Sequence, residues 1–155
     1  MPINFSGSST FSGPAFAAYG NTPTTFPNST WTKVNFDTKF FDTNTNFSTV
    51  SSRFTPTVPG YYQLNSSAQL ELSAASPTGT TIFGLYRNGV EFQRGARIPN
   101  SVGATGVTFS TIVSANGSSD YFEMWIIQGS GGGAITESSG INVEPQFSAS
   151  YIRSL

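Results

Sequence analysis

The run YYQLNSSAQLEL, residues 61–72, alternates with a period of two. Tyr62, Leu64, Ser66, Ala68, Leu70 and Leu72 share one face, and Gln63, Asn65, Ser67, Gln69 and Glu71 share the other. Only a pleated strand places successive side chains on opposite sides, so this segment predicts a half-buried β-strand. Pro56, Pro59 and Gly60 precede it in FTPTVPG and predict a tight turn into the strand.

The rest of the chain reads the same way. PAFAAY at 14–19 predicts a first strand. In TWTKVNFD, residues 30–37, Thr32, Val34 and Phe36 alternate against Trp31, Lys33 and Asn35. Asn88-Gly89 divides TIFGLYRNGVEFQRG and predicts a type I′ hairpin, which needs positive φ twice. Further strands are expected at 102–113, 121–128 and 147–152, with turns at SPTGT and Asn116-Gly117 and a flexible GSGGG loop at 129–133. Eight to ten strands and no helical window predict an all-β sandwich, jelly roll or barrel.

Composition agrees. Ser, Thr and Asn number 23, 19 and 11 of 155 residues, Phe numbers 14, and charged residues are only 10%. The aromatic and β-branched residues suit a pleated half-buried surface. The length fits one domain, and the chain divides into an N-terminal arm at 1–13 and a β-domain at 14–155. No apolar run reaches a membrane span, and MPINFSGSSTFSG lacks the basic and apolar regions of a signal peptide. The arm is Ser/Gly-rich around Phe5 and Phe11. It reads as a loosely ordered terminus or as a reach whose phenylalanines dock on a neighbour.

The chemistry on offer is narrow. Cys and His are both absent, which removes disulfides, thiolate metal sites and the commonest general base. Lys and Arg total 7 against 8 acidic residues, too few to build a nucleic-acid face. Asp120 and Glu123, at a strand start, point apart rather than forming a carboxylate pair, and Glu71 and Glu91 lie on polar strand faces. The oxygen-rich candidates for calcium are Asp37, Asp42 and the Asn116–Asp120 turn, for which turn-forming and capping are the favoured roles. GSGGGA has no Lys-Ser/Thr after it and so is no phosphate loop. Neither an enzyme nor a cofactor is expected, and no metal. Five Asn-x-Ser/Thr triplets, at Asn4, Asn28, Asn46, Asn65 and Asn116, are a weak glycosylation signal in so Ser/Thr-rich a chain.

The stretch RFTPTVPGYYQLNSSAQL resembles the FTxPxxGxYxF signature of the complement component 1q globular-head family. Other landmarks follow in the family's order: PAFAAY, VNFDTKFFDTNTNF, LYRNGVEFQRG, NGSSDYFEMWIIQ and the closing FSASYI. Leu64 departs from the usual aromatic, and Ser150 stands where the family has a glycine nearby. The neutral, Ser/Thr/Asn-rich wording, as in F-D-T-N and G-Y-Y-Q, is similar to versions in bacteriophage structural proteins. The resemblance implies a jelly roll of roughly ten strands, tumour necrosis factor-like, that forms a homotrimer. Trp31, Tyr61, Tyr121 and Trp125 fall on nominally outer faces, and a subunit interface would cover such a surplus. Tyr61, Tyr121, Trp125 and Tyr151 are therefore the trimer-interface candidates, and Phe5 and Phe11 the partner-arm candidates. The chain reads as a whole gene product without a stalk. The resemblance implies a virion structural protein, a capsid decoration (cement) protein bound to the major capsid protein or another virion protein. The alternative is the receptor-binding head of a tail fibre, or a secreted module binding host surface glycan, with Tyr19 and Phe26 as sugar-stacking candidates. Either way the expected place is the virion or the extracellular space, with no nucleic acid and no membrane insertion.

Overall fold

The structure, a computed structural model, describes residues 13–72, 78–131, 135–137 and 145–155. The described residues form strands and turns, without a helix. The strands are β1 (Ala15–Tyr19), β2 (Thr25–Phe26), β3 (Thr32–Lys33), β4 (Thr38–Asp42), β5 (Phe47–Ser48), β6 (Arg53–Phe54), β7 (Gly60–Leu72), β8 (Thr80–Arg87), β9 (Val90–Pro99), β10 (Gly103–Ala115), β11 (Phe122–Gln128), β12 (Ile135–Glu137) and β13 (Gln146–Arg153).

Two antiparallel sheets face each other. In the first, β7 is central. It pairs along its full length with β10 on one side, and on the other with β13 and, further along, β12. The sheet then continues from β13 through β1 to β4, and from β12 to β2. The second sheet runs β5-β6-β11-β8-β9, with β3 also on β11. The margins of the first sheet's main run are therefore β10 and β4.

The alternation at 61–72 sets the layer boundary. Tyr62, Leu64, Ser66, Ala68, Leu70 and Leu72 are all buried between the sheets, and their odd-numbered neighbours face outward. With only five leucines in the chain, phenylalanine fills the core. Phe16 stacks on Phe47 at 4.5 Å and meets Phe54 at 4.8 Å and Phe147 edge-on at 5.1 Å. Such offset and edge contacts add to the area that each ring buries. Tyr62 closes the cluster and donates its hydroxyl to Val58 O at 2.7 Å; burial and the neighbouring Tyr151 push the phenol up to about 12.

The turns follow the residues that build them. Asn88 and Gly89 have φ of 54° and 80° and join Arg87 to Val90, the two-residue hairpin that the sequence predicts. At 116–120 the Asn116 Oδ1 accepts from the backbone N–H groups of Ser118, Ser119 and Asp120. Gly117, at φ 72°, lies so close to Pro59 that a Cβ would sit 2.4 Å from its nitrogen. The phenylalanine arm, Ser76 and Pro77 of the SPTGT turn and part of the GSGGG loop lie outside the described residues.

Candidate functional site

The outer face of the first sheet is built row by row from paired strands. Ile112, Gln63, Ser150 and Ala15 lie in one row, and Ser110, Asn65, Ser148, Ala17 and Phe41 in the next. Thr108, Ser67, Gln146 and Tyr19 make a third. These rows carry no charged side chain. Gln63 Nε2 donates to Ser110 Oγ at 2.9 Å, and Ser110 Oγ donates to Asn65 Oδ1 at 2.9 Å, so these three central polar side chains are partnered to one another. A shallow depression of about 300 Å3 lies over this floor, between Asn65, Ser110, Gln146 and Ser148.

Both margins of the floor are apolar. On β10, Ile112 is 57% exposed, and Phe92 on neighbouring β9 is 50% exposed. Gln93 ties the two strands by accepting from Thr111 Oγ1 at 2.9 Å. At the opposite margin the β1–β4 register shifts, with Ala17 opposite Phe41 and Ala18 opposite Lys39. Phe40 is the extra residue of this bulge, and its ring packs 4.7 Å from that of outward-facing Tyr19. Phe40 and Phe41 are each half exposed. A strict alternation would have sent one of them inward, so sequence periodicity does not find this pair.

The four aromatic interface candidates do not share one surface. Tyr61 is on the outer face of the first sheet, under the Arg153 guanidinium at 5.3 Å. Tyr151 keeps the inward parity of Phe147 and Ala149, and its ring meets Tyr62 edge-on at 5.4 Å. Trp125 lies on the outer face of the second sheet, stacked on Tyr86 at 4.7 Å. Tyr121 sits at the end of that sheet with the Arg53 guanidinium 3.7 Å above its ring. Phe26 is wholly buried, which corrects its reading as a sugar-stacking loop aromatic. Phe5 and Phe11 lie outside the described residues.

Four of the carboxylates, Asp37, Asp42, Asp120 and Glu123, are committed to the fold. Asp37 accepts from the N–H groups of Asn21 and Thr22, at 2.8 and 3.0 Å. Asp42 accepts from those of Asn46 and Phe47, both at 3.0 Å, and from Lys39. Burial alone would raise both carboxyls; these donors outweigh it and hold them below the ordinary carboxylate range. Glu123 is buried between Lys33 and Arg53, at 3.4 and 3.0 Å. Asp120 takes the Arg87 guanidinium at 2.7 Å. That hydrogen bond, helped by Asn88 and Asn116 and opposed by burial, brings its carboxyl down to about 2. Groups of acidic residues arranged to hold a metal ion are absent among the described residues.

No family model matches the chain, and no curated protein matches it either. Solved structures do. The globular domain of zebrafish complement 1qA matches with a TM-score of 0.62 at 18% identity, over 93% of this chain and 100% of that one. Murine APRIL at pH 5.0 matches with 0.65 at 12% identity, over 91% and 100%. The chain has the complement 1q and tumour necrosis factor-like jelly-roll fold. Eiger TNF from S. frugiperda carries it as well, with 0.59 at 8% identity over 92% and 94% of the chains. At these identities the likeness fixes the fold alone. Within it, three rows across β10, β7, β13 and β1 form the uncharged floor, and Ile112 with Phe92 on one side and Phe40 with Phe41 on the other are its apolar margins.

Proposed function

We propose that this protein is a non-enzymatic homotrimer that acts as a structural component of a bacteriophage particle, seated on the capsid shell as a decoration protein. The observation that carries the self-association is the pair of apolar margins, Ile112 with Phe92 and Phe40 with Phe41, on either side of an uncharged floor. A margin on each side suits a head-to-tail contact, in which one subunit's β9–β10 edge meets its neighbour's β4 margin and floor. Such contacts close into rings when the rotation permits. The three rows of the floor are suited to burial, because Gln63, Asn65 and Ser110 at their centre are partnered to one another and no charge in those rows needs desolvation. The resemblance to complement 1q heads supports three as the ring size.

The neutral Ser/Thr/Asn-rich surface and the Phe5/Phe11 arm support the virion reading. The arm would bind a major capsid protein while the jelly roll stays folded beside it. Mass photometry of the dilute protein should report about 50 kDa, three times 16.5 kDa; a single 16.5 kDa species would overturn the trimer. Cosedimentation with shells lacking the protein, followed by electron cryomicroscopy, should place it on the capsid lattice. Density only at a tail tip would make it a host-receptor head instead.

A further inference from the structure

The second sheet carries a different surface. Its outer face holds Lys33, Arg53, Arg94 and Arg97, four of the seven cations of the chain. Gly84 lies in the row between Arg94 and Trp125. Having no side chain, it admits the Trp31 indole directly onto the sheet: a Cβ there would fall 2.8 Å from the ring. Tyr86 braces that indole edge-on at 5.9 Å, and the Arg94 guanidinium lies over one face of its ring, 5.5 Å from the centroid. Trp31 is thus a fixed aromatic wall that still meets solvent.

Beside this wall is a hollow of about 210 Å3 with Ile82 and Ile127 in its lining and Arg94 and Arg97 among its walls. The two arginines differ. Glu91 holds Arg94 in a two-pronged pair, Nε to Oε1 and Nη2 to Oε2, which neutralises it. Arg97 reaches only the Thr80 hydroxyl, at 3.5 Å, and has no carboxylate partner among the described residues. The hollow therefore combines one uncompensated guanidinium, one ring face and a rim of hydroxyl and backbone groups from Ser29, Thr80 and Gly129.

We infer that this hollow is a binding site for a carboxylated sugar of an acidic polysaccharide. The carboxylate would pair with Arg97, the apolar C–H face of the pyranose would lie on Trp31, and the ring hydroxyls would meet the rim. The volume supports a single ring, being smaller than the roughly 300–1,000 Å3 of sites for drug-sized ligands. A guanidinium matches a planar carboxylate through two parallel N–H donors. A bare anion would leave the indole unused. The hollow uses other residues than the proposed self-association, which rests on Ile112, Phe92, Phe40 and Phe41, although Arg94 and Arg97 share β9 with Phe92.

The test is 1H–15N NMR titration of the full chain with a glucuronate-containing tetrasaccharide and with its carboxyl-reduced neutral counterpart. The expected result is a saturable shift of the Trp31 indole signal, with the Trp125 signal unmoved, and weaker binding of the neutral probe. Arg97 is exposed, so Arg97→Gln leaves the fold intact; it should weaken the acidic tetrasaccharide about tenfold or more. Trp31→Phe should weaken both probes. Equal binding of the two tetrasaccharides, undiminished binding by Arg97→Gln, or no saturable shift at millimolar probe would each overturn the proposal. So would tighter binding of adenosine monophosphate at the same signals, which would reassign the hollow to nucleotides.

Discussion

Asn88 and Asp120, 32 positions apart, are locked together at one end of the sandwich. Asn88 Nδ2 donates to Asp120 Oδ1 at 2.9 Å, while Asn88 Oδ1 accepts from the Tyr121 backbone N–H at 2.9 Å. The β8–β9 hairpin tip is thereby tied to the turn that launches β11. Arg87 adds its guanidinium and Asn116 its backbone N–H to the same carboxylate.

This linkage makes stability depend on pH in a definite direction. The folded Asp120 carboxyl titrates at about 2, below the 3.8 of an unperturbed aspartate. A group depressed in the folded state adds stability above its unfolded value, and that contribution is lost as pH falls through the folded one. Allowing for screening near the surface, the effect is about 1–2 kcal/mol, lost between roughly pH 4 and pH 2. In urea titrations, Asp120→Asn should flatten the dependence across that window and lower stability at neutral pH. An unchanged slope would show that Asp120 is not the titrating group.

The hairpin tip gives a second, sterically based expectation. Gly89→Val forces a branched side chain to φ of 80° and brings its Cβ within 3.1 Å of the Tyr121 hydroxyl. A cost of about 1–3 kcal/mol is expected. Gly117→Ala should cost more than Gly89→Ala, since its Cβ would meet the Pro59 backbone rather than a movable side-chain end. Denaturant midpoints of the two alanine variants decide this, and the reverse order would mean that the 116–120 turn relaxes away from Pro59.

What the sequence made legible is the inward half of the molecule. Period two at 61–72 identifies every buried side chain of β7, and Asn-Gly identifies the β8–β9 hairpin. The outward surface is harder, because it depends on contacts between segments far apart in sequence. Tyr151 counts as an interface aromatic by residue type, yet counting in twos from Phe147 puts it toward the core, where it meets Tyr62. Phe40 and Phe41 share a face only because of a bulge opposite Ala17 and Ala18. The Trp31 wall is invisible to periodicity, since it requires Gly84 to come beneath it from another strand.

The margins of the first sheet make the oligomer testable by charge. Ile112→Asp and Phe41→Asp place a carboxylate on opposite edges of the same floor, and both positions are at least half exposed in the single chain. The fold should therefore survive, with an unchanged far-ultraviolet circular dichroism spectrum, while desolvating the new charge weakens association by several kcal/mol. Each variant should shift the 50 kDa species toward the single chain on sizing at micromolar concentration. A mixture of the two should not recover the trimer: the edge of Phe41→Asp can meet the margin of Ile112→Asp unaltered, but closing a ring of three still requires a contact that buries a new carboxylate. Trimers that persist in both variants would move the interface to the second sheet.

The arm provides the last expectation. Residues 1–12 offer only Met1, Ile3, Phe5 and Phe11 as large apolar groups, too few to build a core of their own. Gly13 marks where truncation must stop: a Cβ there would lie 2.4 Å from Tyr151, so the chain at this point is packed on the jelly roll. Deleting 2–12 should leave the number of subunits in the assembly and the thermal transition of the domain unchanged while weakening attachment to phage shells. Each phenylalanine buried against a partner contributes roughly 1.5–3 kcal/mol, and three arms on one trimer multiply the effect through effective concentration. Phe5→Ser with Phe11→Ser should reproduce the deletion, and each single substitution should fall between it and the intact chain. Cosedimentation across a dilution series reads this directly. If the truncated protein saturates shells at the same concentration as the intact one, the arm has no part in attachment, and the contact must be sought on the jelly-roll loops.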